Sequence, residues 1–224
     1  ESVLVHQIRD NAAAYLVIEG GFDVAPVLGS VSTHLKSALG GWHGRALRAN
    51  DVLPVALDTP TARSERRYGR VPDLHAPKTL RVLLGPQESR FERASITAFL
   101  SSEYCVSSQS DRSGLRLEGE VLKHIDGYDL TSEGIVAGSI QIPGTGLPVI
   151  LIGDHPTVGG YPKTATVISA DLAAAGRLRI GSPVRFDAVS EAEATQARTD
   201  LQAMMNRAIA SISERHTRDK KAGP

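Results

Sequence analysis

Apolar residues in this chain fall in short runs broken by glycine and proline, a pattern that predicts many short strands rather than long helices. Ala14-Tyr15-Leu16-Val17-Ile18, ended by Gly20-Gly21, reads as a buried strand. The turn cluster Gly40-Gly41-Trp42-His43-Gly44 precedes a second apolar run, Val52-Leu53-Pro54-Val55. Thr79-Leu80-Arg81-Val82-Leu83-Leu84 is a strand closed by Gly85-Pro86. Residues 87–103 then predict a helix, with Phe91, Ala94, Ala98 and Phe99 towards one side. Further strands are expected at 115–118, 139–142, 149–152, 166–168 and 184–186. Strands this short, with this punctuation, make the fold mainly β, a barrel or a sandwich.

The C-terminal part changes period. Ser190 and Glu193 form a capping box, and Ala194, Ala197, Leu201, Met204, Ala208 and Ile212 recur at spacings of three and four. An amphipathic helix is expected over 190–215, followed by a charged tail, 216–224. Its apolar stripe is expected to cover the chain's own barrel, the alternative being a partner subunit. Between the β segments, residues 59–78 are rich in proline and arginine and read as a linker. The chain therefore divides into a first β module (1–58), the linker, and a second β-barrel module (79–189). Gly44-Arg45-Ala46-Leu47-Arg48 echoes Gly176-Arg177-Leu178-Arg179, as two related modules would.

Charge narrows the function classes. With 25 basic and 25 acidic residues in 224, no basic face is offered to nucleic acid, and aromatic residues for base stacking are few. No apolar run reaches the roughly 20 residues of a membrane span, and no secretory signal opens the chain. The single cysteine, Cys105, suits a reducing compartment, so a soluble, cytoplasmic protein is expected. The seven histidines lie apart, without a metal-binding spacing, and no metal site is expected. The chain begins at Glu1 without methionine, as a fragment or processed product would.

Candidate chemistry concentrates in residues 153–166, Gly-Asp-His-Pro-Thr-Val-Gly-Gly-Tyr-Pro-Lys-Thr-Ala-Thr. It reads as a loop between strands. Gly159 and Gly160 would permit positive φ and turn N–H groups towards an anion or carbonyl oxygen. Lys163 adds a cation, Tyr161 a ring and hydroxyl, and Asp154 with His155 a potential acid–base pair. It is not a P-loop, because Tyr-Pro separates Gly160 from Lys163 and a strand, not a helix, follows. Spacing leaves open whether this is a ligand loop or a tight barrel loop with a solvated lysine. Arg112 and Arg116, at even spacing near a strand start, would clamp a carboxylate if the strand is regular. Gln141 either faces a pocket or fills a ladder position, and Thr166 ends the Gly-rich segment.

Several of these motifs together resemble a known family. Gly138-Ser-Ile-Gln-Ile-Pro-Gly-Thr-Gly-Leu-Pro148, Gly159-Gly-Tyr-Pro-Lys163 and Ala165-Thr-Val-Ile-Ser-Ala-Asp-Leu172 are similar to the family of the C subunit of bacterial 5-oxoprolinase. That family is also labelled allophanate hydrolase subunit 2, or the carboxyltransferase domain of urea carboxylase. Gly20-Gly-Phe-Asp23, Leu28-Gly-Ser30, Gly40-Gly41, Gly44-Arg45, Leu100-Ser-Ser-Glu-Tyr104 and Arg112-x-Gly-Leu-Arg116 follow the same order. The resemblance implies two cyclophilin-like β-barrel modules, with residues 1–58 the remainder of the first. It implies ATP-dependent opening of the 5-oxoproline lactam to glutamate, beside a homologous smaller subunit and in some cases a third. ATP would then be bound mainly by another subunit. In the urea carboxylase relatives it implies carboxyl transfer from biotin, here on a separate carrier because no biotinyl-lysine signal is present. A third implication is a non-catalytic regulator that sequesters a histidine-kinase inhibitor. Under the enzymatic reading Lys163, Asp154 and His155 carry the chemistry, and Gly159, Gly160, Tyr161, Arg112, Arg116, Gln141 and Thr166 bind substrate.

Overall fold

The computed structural model describes residues 2–6, 8, 11–59, 61, 64, 66–69, 73, 75 and 77–214. They belong to two compact units, one formed by 1–14 with 66–214 and the other built on 15–65. The charged tail expected over 216–224 lies outside the described residues.

The larger unit carries the strands in chain order: β1 (Arg66–Tyr68), β2 (Thr79–Leu84), β3 (Tyr104–Val106), β4 (Gly114–Glu118), β5 (Glu133–Gly134), β6 (Ser139–Gln141), β7 (Val149–Leu151), β8 (Val158–Gly159), β9 (Lys163–Val167), β10 (Pro183–Ala188) and β11 (Ile212–Glu214). Three α-helices join them: α1 (Arg93–Ser101), α2 (Leu172–Ala175) and α3 (Glu191–Ala210). Seven strands close into a barrel in the order β10-β2-β9-β6-β7-β4-β3. All neighbours are antiparallel except β10 and β2.

Alternation builds the core. Leu80 and Val82 on β2, Leu115 and Leu117 on β4, Ile140 on β6, Ile150 on β7, Ala165 and Val167 on β9, and Val184 and Phe186 on β10 are all buried in one cluster. Each strand thus sends every second residue inward, as a closed sheet requires. Helix α1 lays Phe99 on Phe186, with ring centroids 4.4 Å apart at 19°. Outside the barrel, Arg81 is clamped to Asp171: its backbone N–H and Nε donate to Oδ2 at 2.9 and 3.0 Å, and its Nη2 donates to Oδ1 at 2.6 Å. That clamp pins the turn entering α2 to β2. No helix among the described residues is long and apolar enough to cross a membrane.

Several predicted elements change. The helix expected over 87–103 is a 3-10 turn, Glu88–Arg90, followed by the shorter α1. The helix expected over 190–215 does start on the Ser190–Glu193 capping box but stops at Ala210, and Ile212 continues as β11. Strand β11 pairs with β1, which lies inside the expected linker. Along the apolar stripe Ala197 is buried and Ala194, Leu201 and Ala208 are half-buried, while Met204 and Ile212 are exposed.

In the smaller unit the expected strand at 14–18 is not formed. Tyr15 is 93% and Val17 86% exposed, because an apolar run becomes a buried strand only beside a ladder, and no described segment pairs with it. The unit is instead closed by isolated bridges, among them Phe22 with Val55, and by Arg45, whose Nη1 and Nη2 each donate to Asp51 at 2.7 Å. It borders an open cavity of about 440 Å³ lined in part by Asp23, Val27, Trp42 and His43.

Phe99→Ala is expected to cost about 3–5 kcal/mol, read from denaturant unfolding of the barrel, since it empties a fully buried ring site. Asp171→Ala is expected to cost about 1.5–3 kcal/mol in the same measurement, by leaving the Arg81 donors without their acceptor.

Candidate functional site

The Gly-rich segment is a crossover, not a single loop. Strands β7 and β9 both lie antiparallel to β6, so they run in the same direction. The chain leaving Leu151 must therefore return to the opposite end of the barrel before β9 begins. On the way it forms β8, which pairs with β5 as Gly159 with Glu133 and Val158 with Gly134. The ribbon is extended by Leu130 N–H donating to Gly160 O at 2.7 Å and Ile135 N–H to Thr157 O at 3.0 Å.

Lys163 opens β9, and its direction is set by a register shift. Ile140 faces Ala165, but the next β6 residue, Gln141, faces Lys163, so Thr164 is an extra residue in β9. Strict alternation would point Lys163 inward with Ala165 and Val167. The bulge turns it to the face of Gln141, outside the barrel wall, where the β5–β8 ribbon covers it. There the Lys163 ammonium donates to Glu133 Oε1. Gln87 holds both partners: its Oε1 accepts from Lys163 N–H at 3.0 Å, and its Nε2 donates to Glu133 Oε1 at 2.6 Å. The Lys163 side chain is only 6% exposed, whereas that of Glu133 is 42% exposed. The hydrogen bond from Lys163, its positive charge and the Gln87 amide hold the Glu133 carboxyl below the usual carboxylate range, against a smaller cost of partial burial.

Gln141 and the two glycines belong to the same cluster. Gln141 is buried and donates to Tyr161 O at 3.5 Å, while Tyr161 itself is 40% exposed. Gly159 and Gly160 do not take positive φ. Their role is close approach: a Cβ on Gly159 would meet Ile135 Cδ1 first and lie 2.8 Å from Gln141 Nε2, and one on Gly160 would lie 2.8 Å from Leu130 O. Gly160, which meets backbone, is thus needed to seat the ribbon, and neither glycine shapes an anion nest.

The remaining predicted residues stand elsewhere. Asp154 and His155 leave the barrel at the end marked by Leu151 and Gly114, the rows opposite to Lys163. Asp154 N–H donates to Arg112 O at 2.8 Å, and its carboxylate accepts from Arg112 Nε at 2.9 Å. His155 Nδ1 donates to Pro156 O at 2.7 Å, so the two are engaged separately rather than as an acid–base pair. Strand β4 starts at Gly114, so the even-spacing argument does not reach Arg112, and no clamp with Arg116 forms. Arg116 is exposed opposite Val149, three strands from Lys163, or about 14 Å at the usual strand spacing. Thr166 lies in the row of Ser139 and Leu83, at the Leu151 end. Sequence reasoning missed Gln87 and Glu133 as site residues, because they lie 76 and 30 positions from Lys163. Their only local signal was a polar residue directly after Gly85-Pro86 and an acid in the turn feeding β6.

Comparison with known proteins places this geometry in a family. The chain is 40% identical over 189 residues to the C subunit of 5-oxoprolinase from Escherichia coli (strain K12), covering 84% of this chain and 60% of that one. It is 39% identical over 184 residues to the C subunit of 5-oxoprolinase from Haemophilus influenzae, covering 82% of this chain and 58% of the relative. It thus spans less than two thirds of the length of either. In structure it resembles the urea carboxylase of Kluyveromyces lactis, with a TM-score of 0.69 at 27% identity, over 92% of this chain and 20% of that one. The family model "Carboxyltransferase domain, subdomain A and B" matches residues 1–188, and the chain belongs to this carboxyltransferase domain family.

Proposed function

We propose that the chain is a subunit of an ATP-dependent 5-oxoprolinase, which opens the lactam of 5-oxoproline to glutamate beside a homologous smaller subunit. The observation that carries this reading is the Lys163–Glu133–Gln87 cluster under the β5–β8 ribbon, in a chain 40% identical to a 5-oxoprolinase C subunit over 189 residues. Lactam opening breaks a C–N bond after water adds to the carbonyl carbon. It builds negative charge on oxygen and leaves the nitrogen in need of a proton. A partly desolvated, fixed set of charges acts on such changes more strongly than mobile groups in water. The ribbon that carries Glu133 covers Lys163, whose side chain is 6% exposed, and Gln141 donates to the Tyr161 backbone beside it.

ATP supplies the driving force for opening the lactam. The Gly-rich segment 153–166 lacks the features of a phosphate cradle: Gly153, Gly159 and Gly160 avoid positive φ, and Lys163 starts a strand rather than a helix. This supports the reading in which nucleotide is bound mainly by another subunit. A second reading, carboxyl transfer from biotin on a separate carrier, is favoured by the family model over residues 1–188. Both readings use an amide-like substrate at the same cluster.

Lys163→Ala is expected to lower ATP-dependent 5-oxoproline hydrolysis by the assembled complex at least about 100-fold. Undiminished turnover would remove Lys163 from the mechanism. Carboxylation of urea in place of lactam opening would select the second reading.

The ion pair also sets a pH dependence. Because the folded-state pKa of Glu133 is lowered, its stabilisation is complete above the unfolded value of about 4.3 and is lost as pH falls through the folded value. Denaturation midpoints of wild type and Glu133→Gln are expected to differ most at neutral pH and to converge on acidification below pH about 4.

A further inference from the structure

Within that reading, we propose that Glu133 is the substrate-contacting acceptor, taking a hydrogen bond from an amide N–H of the substrate, and that Lys163 and Gln87 are the residues that position it. Exposure orders the groups. A ligand arriving at the cluster meets the Glu133 carboxylate, 42% exposed, before the Lys163 ammonium, which is 6% exposed behind it. One carboxylate oxygen is already occupied, since Oε1 accepts from both Lys163 Nζ and Gln87 Nε2. Oε2 takes no hydrogen bond from a described residue, so an ionised oxygen of fixed orientation remains open to a ligand.

The backbone beneath it is equally fixed. Glu133 is paired with Gly159, where the side-chain ends of Ile135 and Gln141 crowd the space a Cβ would take. Such an oxygen suits an N–H donor carried by a carbonyl compound, as in a lactam or a urea. It disfavours seating the substrate's own carboxylate on this oxygen, where it would meet like charge, and so orients the N–H towards Glu133. A lysine whose task was to hold an oxyanion directly would present its ammonium to solvent, whereas this one is committed to a carboxylate.

N-methylation of the ligand removes the donor and tests the contact. In the assembled complex, calorimetry is expected to show N-methyl-5-oxoproline binding wild type at least about tenfold more weakly than 5-oxoproline. In Glu133→Ala that ratio is expected to fall below about threefold, by weakening of 5-oxoproline alone. A ratio unchanged in the variant overturns the proposal. If Glu133→Ala fails to assemble because Lys163 is left unpaired, Glu133→Ala/Lys163→Met removes both charges and the same ratio decides. Gln87→Met is expected to move the acidic limb of binding to higher pH, because one hydrogen bond to the ionised carboxylate is gone; an unmoved limb removes Gln87 from the positioning role. If 5-oxoproline is neither bound nor hydrolysed, the 5-oxoprolinase reading fails by itself, and urea against N,N′-dimethylurea reads the acceptor in the same way. Binding of neither ligand overturns both.

Discussion

A single extra residue in β9 governs the placement of everything around Lys163. If Thr164 paired with Gln141 in regular register instead of bulging, Lys163 would keep the inward alternation of Ala165, and an ammonium would lie in a barrel filled by Leu80, Ile140, Ile150 and Val184. An unpaired charge in such a core costs far more than one hydrogen bond returns. The bulge itself has a cost, because Thr164 is fully buried with its Oγ1 unpartnered. In exchange the lysine reaches the outer face, where a carboxylate and an amide can meet it.

From that shift follow the covering elements. Outward-facing polar residues on β6 and β9 need a cover if they are to be partly dry, and the β7–β9 crossover supplies it through β8. The crossover lies close because Gly160 has no side chain to separate it from the Leu130 carbonyl, and Gly159 none to crowd Ile135 and Gln141. Gln87 enters from the end of β2, whose neighbour is β9, and so reaches Lys163 across a strand pair. Three segments far apart in sequence thereby converge on one carboxylate oxygen.

The same register separates residues that are neighbours in sequence. Asp154 and Lys163 are nine positions apart, yet they mark the two ends of a connection that crosses the barrel. The Arg112–Asp154 pair is half-exposed at the far rim, where salt screens it and a contribution near 0–1 kcal/mol is typical. The clamp of Arg81 on Asp171 has better geometry and less exposure on its acidic side, and it holds β2 in place relative to α2.

Local chemistry in the sequence was enough for most of the barrel strands, the capping box of α3 and the family. Apolar alternation, Ser190 with Glu193, and the Gly-Gly-Tyr-Pro-Lys run each act over a few residues, and the chain obeys them wherever a neighbour is near. It was not enough for residues 14–18, whose apolar run finds no ladder, nor for the end of α3, where pairing with β1 overrides the helical period at Ile212. It also did not contain the face on which Lys163 stands. That was decided by pairing with β6, since a one-residue shift in register reverses a side chain and no feature of β9 alone reports its partner. The sequence by itself determined that a lysine would follow the Gly-Gly-Tyr-Pro turn; only the tertiary structure decided that Glu133 would stand in front of it.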